Sequence, residues 1–486
     1  MTEAPHWFDL ADRLKNEGIA EPVLWLGDDR HYEKAKDVFG ESVVKMLTFV
    51  HRPYELKGID YAGEYEEFFE SENYLRAKDR CLKMMDRLDL YGTFSRQDRE
   101  AYFHKIIFWT LKRFHHKKPD LLLMAEAPHS HAQYLIYEIC LFLKIPSFKF
   151  NRWMLVPLIF LQNMITGEII KKTKVIESKK DIIITEKILS FIENLSKDTS
   201  NYELSYMKKQ REQNKAIYKL SNFFQKDILN AFLDIRHNIA NKIKKRHSSI
   251  NPYNLNFFIR KRIQRLRGKN LLKNSKKYSV KEIAKPYVYF ALHYEPERTT
   301  NPDGGDYQDQ LLAIKTLRSF VPSEVEIIVK EHPSQILIKD RGSRGRSPLF
   351  YDLINNIRGV KQVDTDMDNI ELIKNAELTA TITGTVALEA SILGSKAITF
   401  GSTWFPGCPN IIPWEESLNY EELKDIPIRG KGEVKEFLLN FRKEYAVIGC
   451  QNGSVMRRFS YLINEDFKEV EKEGVFGLVK TLMRSI

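Results

Sequence analysis

At 486 residues the chain is too long for one ordinary hydrophobic core and suits two or three domains. Its 43% hydrophobic and 12% aromatic content excludes a disordered protein. The four scattered cysteines (Cys81, Cys140, Cys408, Cys450) exclude a disulfide framework and a zinc site of ordinary spacing, and point to a reducing compartment.

The net charge of +11 is unevenly spread: residues 242–281 hold 14 Lys/Arg and no Asp or Glu, so the remainder is close to neutral. The amino terminus lacks the basic-then-apolar build of a signal peptide. The most apolar run, Trp153 to Leu161, is about half a bilayer span and contains Pro157. The expectation is a cytoplasmic protein, at most peripheral to a membrane.

Val23-Leu24-Trp25-Leu26-Gly27 reads as a short strand followed by Asp28-Asp29, and Val43 to Val50 as a second. Residues 62–90 and 95–116 carry apolar positions at helical spacing, among them Phe103, Ile106, Ile107 and Leu111. Leu121 to Ala125 is another strand, followed by Glu126-Ala127-Pro128-His129, a helix over 131–143 and a strand over 145–150. This β-α-β alternation predicts a parallel, Rossmann-like sheet covered by helices. Sites in such sheets lie at the carboxyl ends of the strands, where Glu126 and His129 fall.

Residues 175–280 break the alternation. Helical periodicity over 183–195 and 202–243 predicts a helical insertion ending in the basic block. Its Phe257, Phe258 and Ile259 among Arg260, Lys261 and Arg262 fit a basic amphipathic helix on anionic lipid better than a nucleic-acid fold; a plain solvated helix is the bland alternative.

A second α/β half starts at Tyr287. Strands are predicted over 287–292, 325–329, 360–363, 378–383 and 397–400, and helices over 308–320, 351–356, 367–375 and 386–393. Helices from Val434 onward are expected to finish the chain and pack back on the first domain. The domains expected are therefore 1–165, a helical insertion 166–284, a second α/β domain 285–430 and a tail 431–486. Fold class is α/β, with two Rossmann-like domains facing a cleft.

Three stretches carry chemistry. Thr383-Gly384-Thr385 lies between a strand and a helix, where backbone N–H groups, two hydroxyls and a Gly make a phosphate site; an ordinary N-cap and tight turn is the alternative. Glu389, one helical turn on, could accept hydrogen bonds from ribose hydroxyls or be solvated. Lys330-Glu331-His332-Pro333 closes a strand, with His332 at its carboxyl edge, as a phosphate donor or as part of a structural turn. The long turn 293–309 carries Glu295, Glu297, Asp303, Asp306 and Asp309 beside Gly304-Gly305, and loops of that length commonly serve binding or catalysis. For any single acid there, capping helix 308–320 is the rival role. Arg341 to Arg346 forms a second basic loop.

Together these stretches carry a resemblance. Tyr-Val-Tyr-Phe-Ala-Leu-His-Tyr-Glu-Pro-Glu (287–297), Gly-Gly-Asp-Tyr-Gln-Asp-Gln (304–310), Val-Lys-Glu-His-Pro (329–333) and Thr-Gly-Thr-Val-Ala-Leu-Glu-Ala (383–390) resemble the bacterial capsule polysaccharide synthesis family. That family includes retaining transferases of 3-deoxy-manno-octulosonic acid (Kdo). Glu126-Ala-Pro-His129 is similar to the acidic Pro-His element of the family's first domain.

The resemblance implies a glycosyltransferase-B fold, a CMP-activated sugar acid as donor, and a capsule or lipopolysaccharide glycan or glycolipid as acceptor. It also implies nucleotide contacts from Lys330, His332, Thr383, Gly384, Thr385 and Glu389. For glycosyl transfer two carboxylates flank the sugar. An aspartate among 303, 306 and 309 would act on the anomeric carbon, with Glu126 as base or stabiliser and His129 beside it. No cofactor or metal is needed in this scheme, because Lys330, His332 and a helix N-terminus offset leaving-group charge. A polyol-phosphate transferase, a nucleotide-sugar 2-epimerase and a membrane-surface assembly scaffold using residues 242–281 are the rival expectations. No nucleic-acid partner is expected. The insertion 175–280 is longer than the family pattern.

Overall fold

The computed structural model describes residues 6–27, 31–45, 66–89, 94–173, 179–196, 285–296, 299–337 and 342–485, with isolated positions between 263 and 283. The basic block 242–281, helix 202–243, Asp28-Asp29, Glu297 and Arg341 therefore lie wholly or mostly outside the described residues. The chain divides into two units: residues 1–88, 94–191 and 436–486 form the first, residues 89–93 and 192–435 the second.

In the second unit, strands β6 (Tyr287–Ala291), β7 (Glu326–Lys330), β8 (Val360–Val363), β9 (Leu378–Thr381), β10 (Ala397–Thr399) and β11 (Ile411–Pro413) form one sheet in the order β11-β10-β9-β6-β7-β8. Every pairing is parallel. Parallel strands are buried on both faces, which is why they read as continuous apolar runs. Val288, Phe290, Ile327, Val329, Ala380 and Ile398 supply the core with helix residues Ala313, Ile314 and Leu317. The order runs outward from β6 in both directions, so the carboxyl ends of β6, β7 and β9 lie where the connections diverge. That is where ligands bind in open α/β sheets.

The first unit departs from the expected parallel sheet. Strands β3 (Leu122–Met124), β4 (Ser147–Arg152), β5 (Leu158–Asn163) and β12 (Val447–Ile448) form a four-stranded sheet in the order β12-β5-β4-β3. β3 and β4 are parallel, but β5 is antiparallel to both β4 and β12. Residues 153–157 are too few for a crossover, so β5 must return beside β4. β1 (Trp25–Gly27) and β2 (Val43–Lys45) pair in parallel as a separate two-stranded sheet. The apolar run from Trp153, too short to span a bilayer, leads into β5, and β12 lies in a tail expected to be helical throughout. The unit is α/β with a mixed main sheet.

Its helices follow ordinary rules. Helix Arg96–His116 starts at a capping box in which Ser95 and Asp98 satisfy each other's backbone N–H groups. Its buried face, Phe103, Ile106, Ile107 and Leu111, packs with Met84, Leu135 and Ile139. Each such side chain contributes roughly 1.5–3 kcal/mol by leaving water. Helix Glu465–Ser485 packs Val475, Leu478 and Leu482 with Trp7 and Leu14 of helix His6–Asn16 and with Phe148 and Phe150 of β4. No described helix is long and apolar enough to cross a membrane.

Candidate functional site

In the second unit the groups at the carboxyl ends of β6, β7 and β9 are linked through His293, a residue that the sequence motifs do not single out. His293 follows β6. Its Nε2 accepts the backbone N–H of Thr383 at 3.1 Å and lies 3.1 Å from the Thr381 hydroxyl. An accepting Nε2 carries no proton, so the ring's proton is on Nδ1. Burial, reinforced by His332 and the Arg346 guanidinium, pushes the His293 pKa down to about 3.

His332 has the reciprocal tautomer. Its Nδ1 accepts the N–H of Ser334 at 3.1 Å, which leaves the proton on Nε2. Burial, with Lys330 and Arg346 nearby, pushes its pKa down to about 4. Both rings are neutral near pH 7, each offering one N–H.

Lys330 is buried and donates to Asn369 Oδ1 at 2.6 Å and to the carbonyl of Met367. Its charge is thus fixed in place by the chain. Glu389 is 8% exposed and accepts no hydrogen bond at its carboxylate from any described residue. Burial pushes its pKa up to about 7, against the pull of Lys330. A half-ionised carboxylate with spare acceptor capacity can take hydroxyl donors from a ligand.

The turn 382–385 follows β9 and leads into the next helix. Thr385 precedes helix Val386–Ile392, yet its side chain makes no capping bond. The Thr383 hydroxyl is buried and without a partner among the described residues, a cost the fold ordinarily avoids. Gly384 has a reason independent of any ligand: a Cβ there would come 2.6 Å from Thr381 Oγ1 and 3.4 Å from His293 Nε2. Gly401 brings the acidic turn alongside, since a Cβ there would meet the Asp303 carbonyl at 2.6 Å and Thr383 Cγ2 at 2.9 Å. Lys330, His332, Thr383 and Glu389 therefore share one neighbourhood with His293 and the Asp303 turn.

Other acids are committed to structure. Asp309 is exposed and caps helix Gln310–Phe320, accepting the N–H of Leu311 at 3.0 Å. Asp306 is exposed in the short 3-10 turn Gly305–Gln308. Glu295 accepts from Thr300 Oγ1 (2.7 Å) and Gln310 Nε2 (2.9 Å). Glu331 is buried against Arg346 (3.0 Å) and the Tyr351 hydroxyl (2.7 Å). Arg346 also donates to the His293 carbonyl at 2.8 Å, so this pair braces the start of the long turn.

The first unit has its own cluster at the end of β3. Glu126 is 8% exposed, and its Oε2 accepts from Asn452 Nδ2 at 2.8 Å. Its Oε1 lies 3.6 Å from His129 Nε2. His129 Nδ1 donates to the Ala127 carbonyl at 2.9 Å, and Arg87 holds the His129 carbonyl. With Nδ1 occupied as a donor, Nε2 is the ring nitrogen that faces Glu126. Asn452 was not legible as a partner: 326 positions separate it from Glu126. Among the described residues no three His, Cys, Asp or Glu side chains converge as metal ligands would.

A family model described as "Capsule polysaccharide biosynthesis protein" matches residues 184–409. No curated protein sequence matches the chain. Among solved structures, the beta Kdo 2,4 transferase of Thermosulfurimonas dismutans KpsC is 13% identical, covers 65% of this chain and 78% of its own, and superposes with a TM-score of 0.26. The beta Kdo 2,7 transferase of the same KpsC is 10% identical over 79% of this chain and 92% of its own, with a TM-score of 0.28. The UDP-GlcNAc 2-epimerase of Methanocaldococcus jannaschii is 13% identical over 85% and 96%, with a TM-score of 0.22. Superpositions this weak support no functional argument.

Proposed function

We propose, from the match of residues 184–409 to the capsule polysaccharide biosynthesis family model, that the chain is a glycosyltransferase that moves a Kdo-like sugar acid from a CMP-activated donor to a growing cell-surface glycan or glycolipid. In this reading the second unit holds the donor nucleotide. The observation that carries it is the buried Glu389 carboxylate with no hydrogen-bond donor among the described residues, beside a fixed Lys330 and an unpartnered Thr383 hydroxyl. Glu389 takes ribose hydroxyls, while Thr383, Thr385 and the N–H groups of His293 and His332 take the phosphate. Lys330 and Arg346 offset the leaving group's charge through space.

In this reading the first unit holds the acceptor. Glu126 then accepts the proton of the attacking hydroxyl, or stabilises the anomeric cation, with His129 beside it. An aspartate of the 303–309 turn acts on the anomeric carbon. Asp303 is favoured by its place against Thr383 and Gly401, whereas Asp309 has a capping duty and Asp306 is exposed. Retention of configuration and attachment to an anionic membrane surface through residues 242–281 complete the proposal.

Hydrolysis of CMP-Kdo by Glu126→Gln, Asp303→Asn and Asp309→Asn variants tests the assignments. A loss of about 100-fold or more is expected for Glu126→Gln, in line with removing a general base. Near-normal rates for Glu126→Gln and for both aspartate variants would remove all three residues from the chemistry.

A further inference from the structure

We propose that Asn452 is a positioning residue for Glu126, delivered by the carboxyl-terminal segment to the end of β3. This rests on the reading of Glu126 as a catalytic group.

The orientation of the Asn452 amide follows from its other bonds. Its Oδ1 accepts the N–H groups of Ser454 and Val455, both at 3.1 Å, as the N-cap of helix Gly453–Arg458. The oxygen is therefore committed to the helix, and the nitrogen must face Glu126, where it donates at 2.8 Å. Both side chains are buried, each 8% exposed. A neutral amide N–H is the donor type that fixes a carboxylate's direction without supplying a positive charge.

The topology explains how a residue 326 positions away arrives there. β12 is antiparallel to β5, and β5 is antiparallel to β4, so β12 runs in the same sense as β3 and β4. Glu126 lies two residues past the end of β3 and Asn452 four past the end of β12. The segment between is locked. Gly449 N–H bonds the Pro157 carbonyl at 2.9 Å. Cys450 N–H bonds Glu471 at 2.6 Å, and the Gln451 side chain holds the Phe150 carbonyl. Trp7 Nε1 donates to the Gln451 carbonyl at 2.8 Å. Helices His6–Asn16 and Glu465–Ser485 thus brace Asn452, which in turn aims one oxygen of Glu126 and leaves the other towards His129.

Asn452→Asp and Asn452→Ser both keep an N-cap oxygen, so the helix start survives in each. The first replaces the donor with a second carboxylate; the second withdraws it. With 13C-labelled glutamate, and Glu126→Gln to assign its signal, the Glu126 carboxyl should titrate at higher pH in both variants, most in Asn452→Asp. CMP-Kdo hydrolysis should fall about 10- to 100-fold in kcat, with KM for CMP-Kdo nearly unchanged. An unmoved Glu126 titration in Asn452→Asp overturns the contact. A moved titration with wild-type kcat in Asn452→Ser overturns the positioning role. Wild-type turnover by Glu126→Gln instead overturns the catalytic reading of Glu126 and leaves the contact standing, so the two failures are distinguishable.

Discussion

The two units treat their buried polar groups differently. In the second, the carboxylates Glu295 and Glu331 are saturated by neighbours, while two neutral histidines, one threonine hydroxyl and Glu389 keep capacity to spare. In the first, Glu138 is saturated by Arg76 and Tyr134, and Glu471 by Cys450 and His6. The third buried acid there, Glu126, is held by an amide and lies beside the His129 imidazole. A saturated acid is scaffold, and an unsaturated buried group marks a site. One unit presents neutral imidazole donors, and the other a carboxylate beside an imidazole.

Breaking the scaffold should cost most. Glu331→Gln leaves Arg346 buried without its counter-charge, and such losses cost roughly 3–5 kcal/mol. Urea unfolding should show that loss. A change below about 1 kcal/mol would mean that the pair does not brace the long turn.

Glu389 comes next, through pH. Its folded pKa, about 7, lies above the unfolded value of 4.5. The unfolded chain therefore ionises first, and stability is greatest below pH 4.5 and falls as pH rises towards 7, by roughly 3 kcal/mol in all. Glu389→Gln should flatten that slope in unfolding measured across the window. Ligand binding runs the opposite way, because hydroxyls need the ionised acceptor: CMP affinity should rise between about pH 6 and pH 8 in the wild type and stay level in Glu389→Gln. A parallel rise in both would take Glu389 out of the site.

Asp309 should respond least, and its two roles separate cleanly by substitution. Asp309→Ala removes the cap and should cost about 1 kcal/mol, while Asp309→Asn keeps it at little cost. Full CMP-Kdo hydrolysis by a stable Asp309→Asn enzyme would leave Asp309 as a cap alone.

Much of the second unit was legible because parallel strands are buried on both faces: the runs 287–292, 325–329, 378–383 and 397–400 each coincide with a strand to within a residue or two. The first unit was less so. The antiparallel return of β5 hid in an apolar run without a turn signal, and a two-residue strand such as β12 has too little sequence for any periodicity. Within the site, Lys330, His332 and Thr383 stand out because they lie at or just beyond strand ends, and Glu389 because it lies one helical turn past Thr385. His293 shares that position after β6, and its place in the chain was the available signal. Asn452 had none, since its role exists only through a contact made by folding.

The identity of the donor nucleotide decides the functional reading, and thermal unfolding with CMP, CDP and UDP measures it. CMP should raise Tm in the wild type, with a smaller rise in Glu389→Gln at about pH 8. Stabilisation by UDP but not by CMP would overturn the CMP assignment, and so would the absence of any shift with all three nucleotides.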